Sequence, residues 1–223
     1  MHRLFLCLYM TELFSFCFNP FQENTYLIQH SADNTCLIID PGCYTASEQQ
    51  MLTAFIAEKG LKPLAIVNTH AHIDHILGLD YLRKLYRIPF YLHALEDDVL
   101  AWAPQSGKMW GFEVSEQESP EFRIPDSGSL NIGPFSLEVL FTPGHSPGSV
   151  CLLHTEASWL IGGDVLFRES IGRTDLPGGN HAQLLQSIRE KLFVLPNETI
   201  VHPGHGPATE IGHERIFNPF VGG

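Results

Sequence analysis

Positive charge is scarce in this chain: 13 Lys and Arg stand against 25 Asp and Glu, for a formal net charge of −12. An acidic surface repels phosphate backbones, and no block of Lys or Arg supplies a basic groove, so nucleic acid is excluded as a first partner. Cysteine is sparse as well. Cys7, Cys17, Cys36, Cys43 and Cys151 form no C-x-x-C pair, and their odd number forbids a complete disulfide framework. Free thiols in a reducing compartment follow, with the cytoplasm as the default location. No apolar run reaches the ~20 residues a membrane span needs. Repeats, low-complexity tracts and a G-x-S-x-G nucleophile elbow are also missing.

Residues 1–18, MHRLFLCLYMTELFSFCF, resemble a weak signal peptide, but Glu12 interrupts the apolar run and no A-x-A-like cleavage site follows. The preferred reading is a first strand, Leu13–Phe18, behind a short extension over residues 1–10, with Met10 as an alternative start. What remains is an ordinary globular composition, 44% hydrophobic with 15 Phe. It suits one domain over residues 1–223 with a sizeable core.

Short apolar runs bounded by turn residues predict strands at Thr25–Gln29, Cys36–Ile39, Leu64–Val67 and Phe90–Leu92. Further strands are expected at Leu130–Ile132, Phe135–Phe141, Val150–His154, Trp159–Ile161 and Thr199–Val201. Helical spacing is expected at Ala46–Glu58, from about His75 to Tyr86, and over His181–Leu195, where Asn180 can cap. Trp102–Pro125, with three Pro and two Gly, reads as a long surface loop of the kind found over active sites. Strands in two batches, each followed by helices, predict an α/β fold of two sheets packed face to face with helices outside.

The densest polar cluster is His70-Ala71-His72-Ile73-Asp74-His75, directly after the apolar strand Leu64–Val67. In extended backbone His70, His72 and Asp74 project the same way. Three imidazoles and a carboxylate this close are costly to pack without a cation, and the donor types suit Zn2+, with Fe or Mn as alternatives. Four residues do not close two sites. Other candidates stand at strand ends beside glycine: His145 in Thr142-Pro143-Gly144-His145, Asp164 after Gly162-Gly163, and His205 in His202-Pro203-Gly204-His205-Gly206. Each alone reads as a turn or surface residue; in this order they read as a two-metal set.

Here the sequence resembles the metallo-β-lactamase fold superfamily and, within it, the glyoxalase II branch. Thr69-His70-Ala71-His72-Ile73-Asp74-His75 matches that family's T-H-x-H-x-D-H, and the resemblance runs from about Phe18 to Phe220. Gly172-Arg173-Thr174-Asp175, Gly212-His213-Glu214-Arg215 and Asn218-Pro219-Phe220 look like the short, single-domain glyoxalase-II-like hydrolases. The resemblance implies a four-layer αββα sandwich of two mixed sheets with flanking helices. It implies that His70, His72 and His145 hold one divalent ion, that Asp74, His75 and His205 hold a second, and that Asp164 bridges them. Asp40, in Asp-Pro-Gly, matches a position that supports the ligands. Full-length glyoxalase II carries a C-terminal helical domain with basic glutathione contacts; no such domain is expected here, so glutathione is left open as part of the substrate.

The expected activity is hydrolysis of a small-molecule thioester such as S-lactoylglutathione, with a hydroxide shared by the two ions as nucleophile and Asp74 and Asp164 as the catalytic carboxylates. Arg173 is the candidate for a substrate carboxylate; the alternative is a salt bridge to Asp175. His202 is expected to hydrogen-bond behind the ligands, and His93 and His154 to be structural. The competing activity on this fold is a mononuclear-iron persulfide dioxygenase; a lactonase, lactamase or phosphodiesterase shares the metal chemistry.

Overall fold

The computed structural model describes residues 11–222. The expected extension over residues 1–10, with Cys7 and the alternative start at Met10, lies outside them.

The first sheet follows chain order: β1 (Thr11–Phe18), β2 (Glu23–His30), β3 (Thr35–Ile39), β4 (Lys62–Val67), β5 (Phe90–His93) and β6 (Phe122–Ile124). β1 to β3 pair antiparallel, and β3 to β6 pair parallel. The parallel steps need crossovers. These hold α1 (Ala46–Glu58), α2 (Leu79–Tyr86), and the pair α3 (Asp97–Ala101) and α4 (Ala103–Trp110).

The second sheet contains β7 (Ser127–Ile132), β8 (Phe135–Phe141), β9 (Val150–His154) and β10 (Trp159–Gly163), all antiparallel. A small ladder of β11 (Leu166–Phe167) and β12 (Ser170–Ile171) stands apart, and α5 (His181–Ser187) follows. The chain then rejoins the sheet as β13 (Ile200–Pro203), parallel to β10, and β14 (Thr209–Glu210), before α6 (Ile211–Phe217).

Strand alternation builds the layers. Along β3, Leu37 and Ile39 enter the core between the sheets, where they meet Leu137, Val139 and Leu152. Ile38 points the other way, toward Leu52 and Ile56 of α1 and Leu79 and Leu82 of α2. On the far side, Cys151, Leu160 and Val201 pack against Leu184 and Ile211. Strands buried on both faces read as unbroken apolar runs, which is why β3 shows little alternation in sequence. The result is the αββα sandwich. No helix among the described residues is long and apolar enough to cross a membrane.

Three expectations need correction. Trp102–Pro125 is not a loop throughout, since it contains α4 and β6. The buried face of α4 is Ala103 and Gly107, so the helix packs on small residues that leave no hydrophobic stripe in sequence. The helix expected from His75 begins at Leu79 instead, after a single 3-10 turn, Ile73–His75. Asn68 Nδ2 donates to the carbonyls of His75 (2.8 Å) and His70 (3.3 Å), taking up backbone acceptors that a longer helix would use. Finally, the helix expected over His181–Leu195 changes to a π turn after Ser187.

Candidate metal centre

All seven candidate ligands stand just beyond strand ends: His70, His72, Asp74 and His75 after β4, His145 after β8, Asp164 after β10 and His205 after β13. The fold brings them together. His145 Nε2 lies 2.7 Å from His72 Nδ1 and 3.2 Å from His70 Nε2. Nearby, His205 Nε2 lies 3.0 Å and His75 Nε2 3.7 Å from Asp74 Oδ2. Asp164 stands between the two groups, with Oδ1 3.4 Å from His75 Nε2 and Oδ2 3.5 Å from both His145 Nε2 and His205 Nε2. Ligands at about 2.0–2.1 Å from a tetrahedral ion are separated by roughly 3.3 Å, so these spacings suit a shared cation.

The hydrogen bonds behind the imidazoles fix which nitrogen faces inward. Thr69 Oγ1 donates to Asp40 Oδ2, so it can only accept from His70 Nδ1–H at 3.1 Å. His75 Nδ1–H donates to Asp40 Oδ2 (3.1 Å), His145 Nδ1–H to the Arg173 carbonyl (2.7 Å) and His205 Nδ1–H to the Phe21 carbonyl (3.0 Å). A neutral imidazole that donates through Nδ1 keeps a lone pair on Nε2. The Nε2 atoms of these four imidazoles therefore face the centre. Two buried atoms facing it, His75 Nε2 and Asp164 Oδ1, have no hydrogen-bond partner. Buried polar atoms are rarely left so unless an ion or water completes them. The donor set therefore fits divalent cations, as two compact groups: His70, His72 and His145, and Asp74, His75 and His205.

The metal-free electrostatics divide the same way. Burial, then the neighbouring imidazoles, holds His70 well below its usual pKa, and burial and His145 push His72 down to about 3. In the other group burial opposes charge at His75, but Asp74 and Asp164 outweigh it and raise its pKa well above normal. Burial likewise disfavours a charged Asp164, yet His75, His145 and His205 hold its pKa well down. One group thus offers neutral lone pairs, and the other holds a proton that a cation can replace.

Backbone close approach keeps the groups tight. Gly163 has φ +49°, and a Cβ there would lie 2.5 Å from Thr69 Oγ1. A Cβ on Gly204 would collide with Asp164 Oδ1. Asp40 sits in the left-handed region at φ 49° and also accepts from the Thr69 amide at 2.7 Å, so it orients His70 through Thr69 and His75 directly.

Other sequence expectations fare differently. His202 is not hydrogen-bonded behind the ligands among the described residues; its ring packs edge-on against Tyr26 and Trp159, and burial lowers its pKa to about 4. Arg173 realises the salt-bridge alternative, with Nε and one terminal nitrogen each 2.7 Å from Asp175. His93 bonds Asp126 at 2.9 Å and His154 bonds Thr11 at 3.1 Å, both away from the centre.

Sequence reasoning missed Glu96. It is fully buried and ties two ligand loops together: Oε2 accepts from the Ala71 amide (2.8 Å), and Oε1 accepts from the Gly148 amide (2.6 Å) and the Ser146 hydroxyl. It precedes Asp97 and Asp98, and no spacing sets it apart. Glu23, buried beneath His75 with Oε1 3.9 Å from its Nδ1, was missed too; its strand register alone hints at an inward carboxyl.

The centre opens into a cleft of about 940 Å3, lined by Phe21, Trp102, Met109 and Trp110 and by Arg173, Asp175 and Leu176.

Comparison with known proteins agrees with this architecture. The family model of the metallo-beta-lactamase superfamily matches residues 18–205. A probable metallo-hydrolase of Bacillus subtilis is 50% identical over 206 residues, covering 92% of this chain and 94% of the relative. The hydroxyacylglutathione hydrolase GloC of Haemophilus influenzae is 34% identical over 203 residues, covering 90% and 93%. Among solved structures, the B3 metallo-beta-lactamase BLEG-1 superposes with a TM-score of 0.87 at 40% identity, covering 95% of this chain and 100% of that one. The protein TTHA1623, solved in a di-iron-bound form, gives 0.84 at 38% identity, covering 93% and 99%. With the family model spanning most of the chain and the ligand-bearing loops in place, this chain belongs to the metallo-beta-lactamase superfamily.

Proposed function

We propose that this chain is a two-metal hydrolase that cleaves a thioester, with the hydroxyacyl thioesters typified by S-lactoylglutathione as the class its motifs point to. The observation that carries the reading is the place of Asp164, whose two oxygens reach both ligand groups. His70, His72 and His145 would hold one ion, Asp74, His75 and His205 the other, and Asp164 would span them. Bound there, two divalent ions lower the pKa of a water toward ~7 and polarise a substrate carbonyl.

The chain's own residues set the conditions. Asp164 and Asp74 keep negative charge beside the attacking water and fix the two groups relative to one another. The Nδ1 donors to Asp40, Arg173 and Phe21 stop the imidazoles from turning away. Hydrolysis adds water across the C–S bond and yields a carboxylate and a thiol; a thiolate leaves readily, so a strong general acid is not needed. Cys36, Cys43 and Cys151 are disfavoured as nucleophiles, since burial pushes them up to about 12, and no cysteine among the described residues lines the cleft. The name of the 34% identical Haemophilus influenzae relative supports the thioester class, and the di-iron neighbour supports a paired centre while leaving the metal to be measured.

The test is elemental analysis of the purified protein beside a panel of S-lactoylglutathione, other thioesters, a lactone, a β-lactam and glutathione persulfide. Two ions per chain and chelator-sensitive thioester cleavage are expected. One iron per chain with oxygen consumption on the persulfide would overturn the reading.

A further inference from the structure

We infer that the substrate's non-reacting portion is an extended apolar group and that the substrate carries at most one carboxylate; this rests on the thioester reading above but replaces glutathione, with its two carboxylates, by a less charged thiol. Three observations carry it.

The first is the wall beside the centre. Trp102 (38% exposed), Met109 (69%) and Trp110 (48%) stand on and beside α4, uncovered, and face the same cleft as Asp74 and Asp164. Large apolar side chains grouped at one place on a soluble surface mark a binding site. Phe21 joins them, its ring edge-on to Trp110 at 5.3 Å. Its carbonyl holds His205, so the apolar wall begins where the ligand shell ends.

The second is charge. Arg173 is the one cationic side chain among the described residues lining the cleft, against Asp98 and Asp175 beyond the ligands themselves. One edge of that guanidinium, Nε and one terminal nitrogen, is engaged by Asp175. The pair is exposed and exchangeable, so a single substrate carboxylate can take Asp175's place. A second carboxylate, as in a glutathione moiety, meets acidic side chains in a chain of net charge −12.

The third is size. A cleft of about 940 Å3 is at the upper end of small-molecule sites and far exceeds a short hydroxyacyl group. Phe21, Trp102, Met109 and Trp110 line that same space.

The experiment uses the metal-loaded full chain and thioesters of the uncharged thiol N-acetylcysteamine with acetyl, butanoyl, hexanoyl and octanoyl groups, beside S-lactoylglutathione. kcat/KM is expected to rise roughly two- to fourfold per added methylene until the wall is covered, and octanoyl to exceed S-lactoylglutathione. Trp110→Ala should lower the octanoyl-to-acetyl ratio about tenfold. Met109→Lys should shift preference toward S-lactoylglutathione. A flat chain-length series with S-lactoylglutathione preferred overturns the inference and leaves thioester hydrolysis standing. If no thioester is cleaved, the activity reading fails, and a binding measurement then judges the wall alone. Tryptophan fluorescence is titrated with the non-hydrolysable S-octyl-N-acetylcysteamine and with S-octylglutathione. Tighter binding of the uncharged ligand supports the apolar, weakly charged substrate; equal or weaker binding overturns it.

Discussion

The carboxylate of Asp40 meets Nδ1 of His75 at 3.1 Å while its backbone holds a left-handed φ of 49°. One residue, buried and conformationally unusual, thereby sets the tautomer of a ligand and, through Thr69, the orientation of His70. Asp40→Asn keeps the size, and Asn tolerates the left-handed region, so the fold should survive. Its loss is the charged acceptor for His75. Metal affinity should fall ten- to a hundredfold, read by competition with a chromophoric chelator; unchanged affinity would remove Asp40 from the supporting role.

Asp164→Ala should do more, since this carboxylate reaches both groups. Metal content is expected to drop from two ions per chain to one or fewer, with kcat lowered at least about a hundredfold. Two retained ions with full turnover would show that the groups do not share Asp164.

In the metal-free protein Asp74 and Asp164 hold a proton on His75 against the effect of burial. A cation entering the group of Asp74, His75 and His205 must displace it, so the apparent affinity of that site should weaken about tenfold for each pH unit lowered, with one proton released as that ion binds. Isothermal titration in two buffers of different ionisation enthalpy counts that proton. Release of none would contradict the arrangement.

His202, whose burial lowers its pKa to about 4, carries a separate pH signature. The unfolded chain protonates this imidazole near 6.5, while the folded chain resists until about 4. Its contribution is therefore complete above pH ~6.5 and is lost as pH falls from there through ~4, a change of a few kcal/mol at most. His202→Phe keeps an aromatic ring against Tyr26 and Trp159 and should flatten the fall of Tm in that window, measured with chelator present in both proteins. Parallel Tm curves would assign the acid sensitivity elsewhere.

Glu96→Ala strips acceptors from the Ala71 and Gly148 amides and the Ser146 hydroxyl at once. Buried donors left without partners should destabilise the protein by about 3–5 kcal/mol, seen as a lower urea midpoint, with weaker metal retention because both ligand loops loosen. A midpoint within error of the parent would mean that water substitutes fully for the carboxylate.

What the sequence determined by itself was local: the element pattern and the chemical types of the ligands. Apolar runs marked β8 and β9, helical spacing marked α1, and the crowding of His70, His72, Asp74 and His75 announced a cation because no core accepts those groups together. Small-residue packing hid α4, which has no apolar stripe to read. The partners of each ligand were decided only in the tertiary structure. Which imidazole nitrogen faces inward depends on acceptors from distant segments, Asp40 for His75 and the Phe21 carbonyl for His205. Glu96 acquires its role only when β5 brings it beneath two loops, whereas the Arg173–Asp175 pair, two residues apart, was one of the two readings the sequence left open. Hydrogen bonding and desolvation act across space, and a linear spacing carries them only where the chain itself brings the donors together.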